Sequence, residues 1–344
     1  MALSGRAREW LEGGAFFEWV PPDGLREAKE LRIFHADFGD ADAPLLLLVH
    51  GFPTSSIDWY DVVGPLSERY RVCLLDFPGF GFSDKPTGES YTLRRDSELL
   101  EHYLGEVLGA RTGAIVAHDR GDSVALTLAA RCAAGEAEFE PTHLVLSNGN
   151  LFLPLSNLNP FQRLALDPVT APDVLAAATA EALAAGMGES TFTPKRSLED
   201  PAIAALAQTF EYNDGLAVIH DTIQYLVERS ENEEEWLEAL ARSGLPTTVI
   251  WGLYDVVSPL RVAAHVWDAY LATKPGANEL WLLPSANHYL QHDQPAEFAA
   301  VLSRSLSGRS PEAPGPISED PDAPILVDRS RDQLPSAKDV LSGP

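Results

Sequence analysis

The stretch Gly113–Ala125, GAIVAHDRGDSVA, joins an apolar run to a polar turn and then to an alanine- and leucine-rich segment. The β-branched run at 114–117 predicts a buried strand, and the residues after Asp119 predict a helix. Small residues, Ala117 and Gly121, flank Asp119, as a very tight strand-to-helix turn requires. The pattern therefore predicts that Asp119 is a nucleophile held on such a turn. Alternatively, Asp119 only caps the helix, since Asp is a favoured N-cap residue.

A carboxylate at this position restricts the chemistry. Its attack on an ester carbonyl would give only a mixed anhydride, whereas its attack on a saturated carbon gives an ester that water can hydrolyse. Asp119 thus favours an epoxide or an alkyl halide over an ester as the substrate, with water as the co-substrate.

Hydrolysis of such an ester needs a general base and an acid that orients the base, and two later segments supply them. Residues 246–255 predict a strand, a glycine turn and Asp255, and residues 279–288 predict a strand, a loop and His288. Singly, each could be an ordinary loop residue. The order nucleophile, acid, histidine, each after a strand, is typical of a catalytic triad. We therefore expect Asp119, Asp255 and His288 to form one.

An oxyanion hole is predicted from a third strand. The run Pro44–Val49 predicts this strand, and the turn at 50–51 leaves the backbone N–H of Phe52 free to point inward. The N–H of Arg120, next to the nucleophile, would be the second donor. The side chain of Arg120 is interpreted as ion-paired with Asp122 or with a neighbour at the pocket rim.

Together these segments resemble the α/β-hydrolases of the epoxide hydrolase and haloalkane dehalogenase branch, over about residues 30–305. The resemblance rests on the segments His50–Pro53, Leu75–Asp84, His118–Gly121, Trp251–Asp255 and Asn287–His288. In detail the chain is most similar to mesoderm-specific-transcript-like proteins, at His50–Tyr60, Leu146–Asn150, Asn213–Gly215 and Gln224–Tyr225. The resemblance implies an α/β fold in which helices flank a mostly parallel central sheet and a helical cap is inserted.

The expected division of the chain follows from its composition. The core would comprise residues 1–150 and 245–308, and the helical cap residues 151–244. Seven runs predict strands: Leu31–Phe38, Leu45–Val49, Arg71–Asp76, Ala114–Ala117, His143–Leu146, Thr247–Trp251 and Glu279–Leu283. The tail, residues 309–344, is rich in Pro, Asp and Ser and predicts disorder or loose attachment, although Ile325–Val327 could dock on the core.

The leaving group separates the two chemistries. An opening epoxide develops an alkoxide, a strong base that benefits from a proton donor such as a phenol. Epoxide hydrolases resemble one another in placing tyrosines in the cap; Tyr225 stands roughly where their later tyrosine lies, and Tyr212 is a candidate substitute for its partner. Tyr225 could equally be a core tyrosine. Haloalkane dehalogenases typically have Trp and Asn where this chain has Arg120 and Phe52, so epoxide hydrolysis leads.

Dehalogenation of an alkyl halide or a haloacid is the second interpretation. His118–Gly121 is also similar to fluoroacetate dehalogenases, in which the Arg after the nucleophile helps to hold the substrate carboxylate. Those enzymes carry a second Arg three positions further on, where this chain has Ser123. A third interpretation is a non-catalytic ligand-binding protein that kept the fold, since a fold alone does not establish activity. The residues expected to line the substrate pocket are His50, Trp59, His118, Asn150 and Phe152. The side chain of His50 is interpreted as structural.

Bulk properties exclude several classes of partner. The 344 residues include 51 acidic against 25 basic side chains, a formal net charge of −26. This charge opposes binding to nucleic acid or an anionic membrane and favours a small apolar or neutral substrate. Cys73 and Cys132 are predicted to be buried thiols. No signal-peptide or membrane-spanning run is seen, which predicts a cytoplasmic location. His288, His292 and Asp293 could suggest a metal site, but no Glu follows His288 as zinc-protease helices require, so no metal is expected. No cofactor is expected either.

Overall fold

The computed structural model describes residues 3–26, 29–308 and 315–331. A ten-stranded sheet runs through the molecule. Its strands are β1 Ala15–Trp19, β2 Leu31–Phe38, β3 Leu45–Val49, β4 Arg71–Leu75, β5 Thr112–His118, β6 Glu140–Ser147, β7 Thr247–Gly252, β8 Glu279–Leu283, β9 Gly315–Pro316 and β10 Ile325–Arg329. All seven predicted strands are present, and β1, β9 and β10 were not predicted.

The order of the strands, β1-β2-β4-β3-β5-β6-β7-β8-β10-β9, places β3 and β5 side by side near the middle. The strands from β4 to β8 are parallel, which confirms the mostly parallel sheet. The chain builds outward from β3 to β4 and then returns to add β5 on the other side of β3. Such a switch point opens a crevice at the carboxyl ends of the two strands, where ligands of this class of sheet bind.

Helices cover both faces of the sheet. They are α1 Gly5–Gly13, α2 Tyr60–Ser67, α3 Leu93–His102, α4 Arg120–Ala133, α5 Pro160–Leu166, α6 Ala171–Ala176, α7 Ala180–Thr191, α8 Pro201–Glu211, α9 Ile219–Ile223, α10 Tyr225–Arg242, α11 Leu260–Val266, α12 Leu290–Asp293 and α13 Pro295–Leu306. None of the helices in these described ranges is long and apolar enough to cross a membrane.

Strand β3 shows why the sheet needs two helical layers. All five of its side chains are buried, as expected for a parallel strand covered on both faces. Alternate side chains point to opposite faces. Leu45, Leu47 and Val49 therefore join the hydrophobic cluster on one face, while Leu46 and Leu48 join the cluster on the other.

Residues 151–244, which we call the helical insertion, connect β6 to β7. Every residue of this segment is described, and it contains helices α5–α10 and no strand. Helix α10 packs on α4, the helix that follows Asp119, and α8 packs on α1. The change of sequence pattern between 150 and 245 thus marks a helical segment that contacts the helix behind the predicted nucleophile.

Part of the tail forms strands β9 and β10, so the expectation of disorder is wrong for that part. Strand β10 pairs antiparallel with β8, opposite Leu282, Trp281, Leu280 and Glu279. Leu326 is 1% exposed and lies within the hydrophobic cluster on that face, and Asp328 accepts a hydrogen bond from the indole of Trp267 at 3.1 Å. The pairing with β10 gives hydrogen-bond partners to the backbone groups at the edge of β8, which would otherwise lack them. Residues 309–314 and 332–344 lie outside the described ranges.

Deletion of residues 311–344 is therefore expected to destabilise the protein. Burial of a leucine side chain is worth about 1.5–3 kcal/mol, and the backbone pairing of β10 adds to it, so we expect a loss of roughly 2–4 kcal/mol in the free energy of unfolding. Urea denaturation measures it. Deletion of residues 332–344 alone is the matched control and should shift the midpoint little. Equal midpoints for both deletions would contradict a stabilising role of β10.

The two cysteines are both free thiols. Cys73, in β4, is buried, as predicted, whereas Cys132 near the end of α4 is partly exposed.

Candidate active site

Asp119 occupies the tight turn between β5 and α4. Its backbone angles, φ 54° and ψ −119°, lie where non-glycine residues are rarely found, so the strand and the helix must impose them. The turn leaves no room for larger neighbours. A Cβ atom at Gly121 would lie 2.4 Å from the carbonyl oxygen of Val49, and one at Gly51 would lie 2.6 Å from the Cβ of Asp119. The Asp119 side chain makes no capping hydrogen bond to α4, so its interpretation as a simple N-cap is wrong.

The carboxylate of Asp119 is held between a backbone donor and a histidine. Its Oδ1 accepts the N–H of Phe52 at 2.7 Å, and its Oδ2 lies 3.5 Å from Nε2 of His288. The side chain is almost fully buried. Burial acts to raise the pKa of Asp119, but the hydrogen bond and charge of His288, with help from Phe52, hold it below the usual value. The buried Asp119 is therefore an ionised carboxylate, the form that can act as a nucleophile.

His288 bridges Asp119 and Asp255. Its Nδ1 lies 3.1 and 3.2 Å from the two carboxylate oxygens of Asp255. Asp255 follows β7, and its Oδ1 also accepts the backbone N–H groups of Val257 and Ser258 at 2.8 and 2.9 Å. These bonds fix the carboxylate, which in turn fixes the orientation of the imidazole ring. The structure thus brings together the three residues that the sequence predicted as a triad.

Charge controls the protonation of this group. Burial acts to lower the pKa of His288, but the opposing attraction of Asp255 and Asp119 raises it to about 10. In the resting state His288 is therefore a cation between two carboxylates. Loss of the charge on Asp119 would lower the pKa of His288, which links the state of the nucleophile to the basicity of the histidine.

The loop that carries His288 is held from the ends of two strands. The amide of Asn148, just after β6, donates to the carbonyl oxygens of Asn287 and His288, both at 2.8 Å. Nε2 of His118, the last residue of β5, lies 2.9 Å from the carbonyl oxygen of His288. Burial lowers the pKa of His118 to about 3, so its neutral ring donates this bond. His118 was expected in the pocket lining, but its ring instead supports the loop; Asn148 was not predicted as a site residue.

One of the two backbone N–H groups predicted to form an oxyanion hole, that of Phe52, contacts the nucleophile. The N–H of Phe52 already contacts the Asp119 carboxylate. Arg120 is the first residue of α4, where backbone N–H groups have no acceptor within the helix. The positive end of the helix dipole lies at the same place, so both features favour a negative charge beside Asp119.

The side chain of Arg120 has a different partner from the one expected. It forms a buried ion pair with Asp96 of α3, whereas Asp122 accepts the N–H of Ser147. The guanidinium is 1% exposed and does not lie at a rim. It also lies 5.5 Å from the ring centroid of Tyr225, within the range of a cation–π contact.

Tyr225 is the first residue of α10, and its buried side chain lies close to Phe52 and Arg120. Its ring centroid lies 5.8 Å from that of Phe52, and its hydroxyl has no hydrogen-bond partner among the described residues. Burial first, and the charge of Asp119 second, raise the pKa of Tyr225 well above its usual value, so the hydroxyl keeps its proton. The neighbouring Asn150 acts to lower that pKa, yet its own amide nitrogen and oxygen lack partners of ordinary geometry. Buried polar groups without partners are costly and often mark a site for a ligand.

A second tyrosine, Tyr289, was missed by the sequence analysis. It follows His288 directly, is buried, and its ring stacks on Phe192 of the helical insertion at 4.8 Å. Burial, and then the carboxyl groups of Asp58 and Asp119, raise the pKa of Tyr289 well above the usual value. The resemblance to epoxide hydrolases predicted a partner of Tyr225 only within the helical insertion, whereas Tyr289 belongs to the core.

Tyr212 does not reach the site. Its ring packs edge-on against Phe82 at 5.0 Å, and the Lys85 ammonium lies 5.3 Å from the ring centroid. It lines a surface depression with Leu3 and Gln208. The expectation that Tyr212 substitutes for a second donor is therefore wrong, because the residue caps the outer end of α8.

Three other residues expected in the pocket, His50, Trp59 and Phe152, make packing contacts or hydrogen bonds within the protein. Nε2 of His50 accepts the N–H of Phe77 at 3.1 Å and Nδ1 contacts the carbonyl oxygen of Gly51 at 2.8 Å, which agrees with the structural interpretation of this side chain. Trp59 is fully buried and packs on Phe298. The ring of Phe152 lies 4.1 Å from that of His265, on α11. Of the five residues expected in the pocket lining, Asn150 remains a candidate for contact with a ligand.

The residues that were weighed as metal ligands serve other contacts. Nδ1 of His292 lies 2.9 Å from Oδ2 of Asp61, and Oδ2 of Asp293 accepts the N–H groups of Thr193 and Asn287 at 3.0 and 2.8 Å. In the part of the chain that the structure describes, no group of three or more His, Cys, Asp and Glu side chains could hold a metal ion.

The raised pKa of His288 predicts how stability depends on pH. A group whose pKa is higher in the folded state stabilises the protein fully below its unfolded value, 6.5, and loses this effect as pH rises toward about 10. We expect His288→Gln to remove this loss of stability, which totals on the order of a few kcal/mol across the window. Urea midpoints across this pH range, compared with those of a His220→Gln control, measure it. Lys85 and Lys274, whose pKa is lowered to about 8, titrate in the same window. A pH dependence in His288→Gln equal to that of the control would contradict the charged state of His288.

Comparisons with known proteins agree with the fold. A model described as the alpha/beta hydrolase family matches residues 46–301. The protein named "Putative hydrolase LipZ" from Mycobacterium tuberculosis is 33% identical over 303 residues, which cover 87% of this chain and 98% of LipZ. The mesoderm-specific transcript protein of Mus musculus is 31% identical over 302 residues, 86% of each chain.

A solved structure is similar over the same range. The haloalkane dehalogenase DbeA from Bradyrhizobium elkani superposes with a TM-score of 0.68, at 20% identity, over 86% of this chain and 98% of that chain. At this level of identity the likeness concerns the fold.

Proposed function

The chain belongs to the alpha/beta hydrolase family, and we propose that it is a cofactor-independent hydrolase that attacks a carbon atom of its substrate with Asp119. The observation that carries this proposal is the buried carboxylate of Asp119 on its strained turn, 2.7 Å from the N–H of Phe52 and 3.5 Å from His288. The leading reaction is the hydrolysis of an epoxide to a vicinal diol.

The first step forms a covalent ester. Oδ2 or Oδ1 of Asp119 attacks one epoxide carbon, the carbon–oxygen bond breaks, and its electron pair moves to the epoxide oxygen. This oxygen becomes an alkoxide and takes a proton from the hydroxyl of Tyr225, which is buried and protonated and, among the described residues, makes no hydrogen bond of ordinary geometry. The proton that His288 carries in the resting state then restores Tyr225. The proton count closes, and His288 is left neutral.

The second step hydrolyses the ester. Because esterified Asp119 has no charge, the attraction that raised the pKa of His288 is smaller, and the neutral ring can accept a proton from water. The water oxygen attacks the carbonyl carbon of the ester, and the N–H groups of Phe52 and Arg120 stabilise the tetrahedral oxyanion. The intermediate collapses, the diol leaves with a proton from His288, and Asp119 retains one oxygen from water as a carboxyl group. This carboxyl group then gives its proton to His288, which restores the carboxylate and the cationic histidine of the resting state. Asp255 orients His288 throughout.

Dehalogenation is the second candidate. A halide ion needs N–H donors and no proton, and the buried amide of Asn150 has no hydrogen-bond partner among the described residues. This amide supports a halide site, whereas the protonated hydroxyl of Tyr225 beside Asp119 supports an alkoxide. Only the alkoxide, which is a stronger base than a halide ion, needs the proton of a tyrosine. An epoxide therefore remains the leading substrate.

A substrate panel tests the proposal. Terminal and internal epoxides are incubated with the protein and assayed for diols, and matched alkyl bromides and chlorides are assayed for halide release. We expect diol formation that disappears in Asp119→Asn. Halide release alone would make dehalogenation the function, while binding without either product would leave a ligand-binding protein and overturn the proposal.

A further inference from the structure

Two buried guanidinium groups lie near Tyr225, the proton donor of the proposed reaction. The Arg120 guanidinium lies 5.5 Å from the centroid of the Tyr225 ring. Arg229 stands four residues after Tyr225 on α10, a spacing that brings two side chains to the same face of a helix. Arg120 is 1% exposed and Arg229 is 0% exposed. Two charged groups this deeply buried beside one phenol are costly, because each loses its hydration.

Uncharged contacts with three segments fix the Arg229 guanidinium. Its Nη1 donates to the hydroxyl of Ser123, on α4, at 3.3 Å, and its Nη2 donates to the carbonyl oxygen of Leu151. Its Cζ lies 5.5 Å from the ring centroid of Trp236. Burial raises the pKa of the nearby Asp122 carboxyl group well above its usual value, which favours the neutral form of that group. These neighbours hold the guanidinium in place without neutralising its charge.

The two guanidinium groups differ in how closely a carboxylate approaches them. Arg120 forms a hydrogen-bonded ion pair with Asp96. Nε of Arg229 lies 3.8 Å from Oε2 of Glu233, which is beyond hydrogen-bond distance, and the same oxygen accepts the N–H of Leu153 at 2.7 Å. Burial lowers the pKa of Arg229 to about 10, which leaves it a cation at neutral pH. The charge of Arg229 is therefore the less compensated of the two.

A tyrosine that donates its proton in this position becomes a buried anion. When the hydroxyl of Tyr225 protonates the alkoxide, its oxygen keeps the electron pair and stays negative until His288 returns a proton. Burial, and then the charge of Asp119, raise the pKa of Tyr225, whereas the charges of the two arginines act to lower it. Asp119 loses its charge in the same step, because it becomes an ester. Arg120 and Arg229 then remain as the charged groups that favour the phenolate.

We propose that Arg229, together with the Arg120 guanidinium, stabilises the negative charge on Tyr225 while this residue donates its proton. Arg229 does not touch the substrate in this role, so it is a positioning residue that acts through Tyr225. The inference rests on the proposed function, to which it adds a residue on which proton donation depends. Because general acid assistance depends on the acidity of the donor, we expect Arg229→Gln to slow the alkylation of Asp119 by epoxides about tenfold. Alkylation by alkyl bromides, which needs no proton, should be unchanged.

Variants on α10 separate the charge of Arg229 from its packing. Glu233→Gln keeps an acceptor for the Leu153 N–H but removes the negative charge near Arg229, so epoxide alkylation should become faster. Arg229→Lys keeps the positive charge and should recover most of the rate. Arg242→Gln, at the exposed end of the same helix, is the matched control. A rate that falls in both Arg229→Gln and Glu233→Gln, or that falls equally for bromides, would mean a structural role and overturn the inference.

A titration separates this inference from the proposed reaction. Replacement of Tyr225 by 3,5-difluorotyrosine gives a more acidic phenol, which titrates while the protein is folded, and the ultraviolet absorbance of the phenolate measures its pKa. We expect Arg229→Gln to raise this pKa and Glu233→Gln to lower it, whether or not an epoxide is turned over. The same pKa in all three proteins, with epoxide turnover that depends on the Tyr225 hydroxyl, would overturn the inference and leave the proposed reaction standing. The expected changes in pKa without turnover of any epoxide would support the stabilising charge of Arg229 and overturn the proposed reaction.

Discussion

His288→Gln is expected to stop turnover and to accumulate a covalent adduct of the substrate on Asp119. Ester formation uses the carboxylate, which still accepts the N–H of Phe52 in this variant, whereas hydrolysis of the ester needs the base. Loss of His288 raises the pKa of Asp119, so the adduct is formed at a pH high enough to keep Asp119 ionised. Loss of a general base slows a step by about 10²–10⁴-fold, so the adduct should outlast the assay. Intact mass spectrometry measures it as an increase equal to the mass of the epoxide, and peptide mapping locates it.

The control variants separate the two steps. Asp119→Asn removes the nucleophile and should give neither product nor adduct. Asp255→Asn keeps the shape of the residue that contacts Nδ1 of His288 but removes its charge, so we expect slower hydrolysis and partial accumulation.

Isotope incorporation gives an independent result. In a single turnover in heavy-oxygen water, label should enter the Asp119 carboxylate, because water attacks the ester carbonyl. Label that appears only in the diol, together with no adduct in His288→Gln, would mean that water attacks the substrate directly. Asp119 would then be at most a base, and the covalent mechanism would be excluded.

The sequence predicted the parts of the site that lie at the ends of buried strands. The elbow at Asp119 was visible because a strand pattern, small flanking residues and a helix pattern are all local features. Asp255 and His288 were visible because each follows an apolar run, and parallel strands bring their carboxyl ends to one edge of the sheet. Local patterns and the order of the residues therefore located the three residues that meet in the structure, whereas the fold was implied by the resemblance to α/β-hydrolases.

The residues that were missed or misassigned depend on contacts between distant segments. Arg120 lies one position from the nucleophile, yet its partner Asp96 belongs to α3, and the sequence offered Asp122 as the nearer acid. Tyr212 was placed in the site by its position in the helical insertion, but the end of α8 turns it toward Phe82.

The tail shows that contacts between distant segments also limited the prediction of the fold. Its composition predicted disorder or loose attachment, but it could not show that the edge of β8 was open to Leu326 and its neighbours. Edge pairing is decided by the partner strand, which composition does not report.

Tyr225→Phe is expected to separate the two chemistries. The change removes one hydroxyl and leaves the ring against Phe52 and the Arg120 guanidinium. Since that hydroxyl is buried without a hydrogen-bond partner among the described residues, its loss should not lower stability. If it donates to the opening epoxide, alkylation of Asp119 should slow by about 10²–10⁴-fold. Rapid-quench measurement of adduct formation in the His288→Gln background isolates this step.

The same variant should leave two other rates unchanged. Hydrolysis of an ester already formed uses His288, and alkylation by an alkyl bromide releases an anion that needs no proton, so neither step should respond to Tyr225→Phe. Tyr60→Phe is the matched control, because its hydroxyl bonds Glu9 on the surface. An epoxide alkylation rate equal to that of the control would remove the main support for an alkoxide site.

Tyr289→Phe completes the test. Its ring should remain stacked on Phe192, so a change in alkylation rate would report the hydroxyl alone. If Tyr289 donates a second hydrogen bond to the same oxygen, each single variant loses one donor and the double variant loses both, so the double variant should be slower than either. If Tyr289→Phe has no effect in either background, Tyr225 is the single proton donor. If neither tyrosine affects epoxides while alkyl bromides react through Asp119, the amide of Asn150 becomes the relevant leaving-group contact, and dehalogenation is the function to pursue.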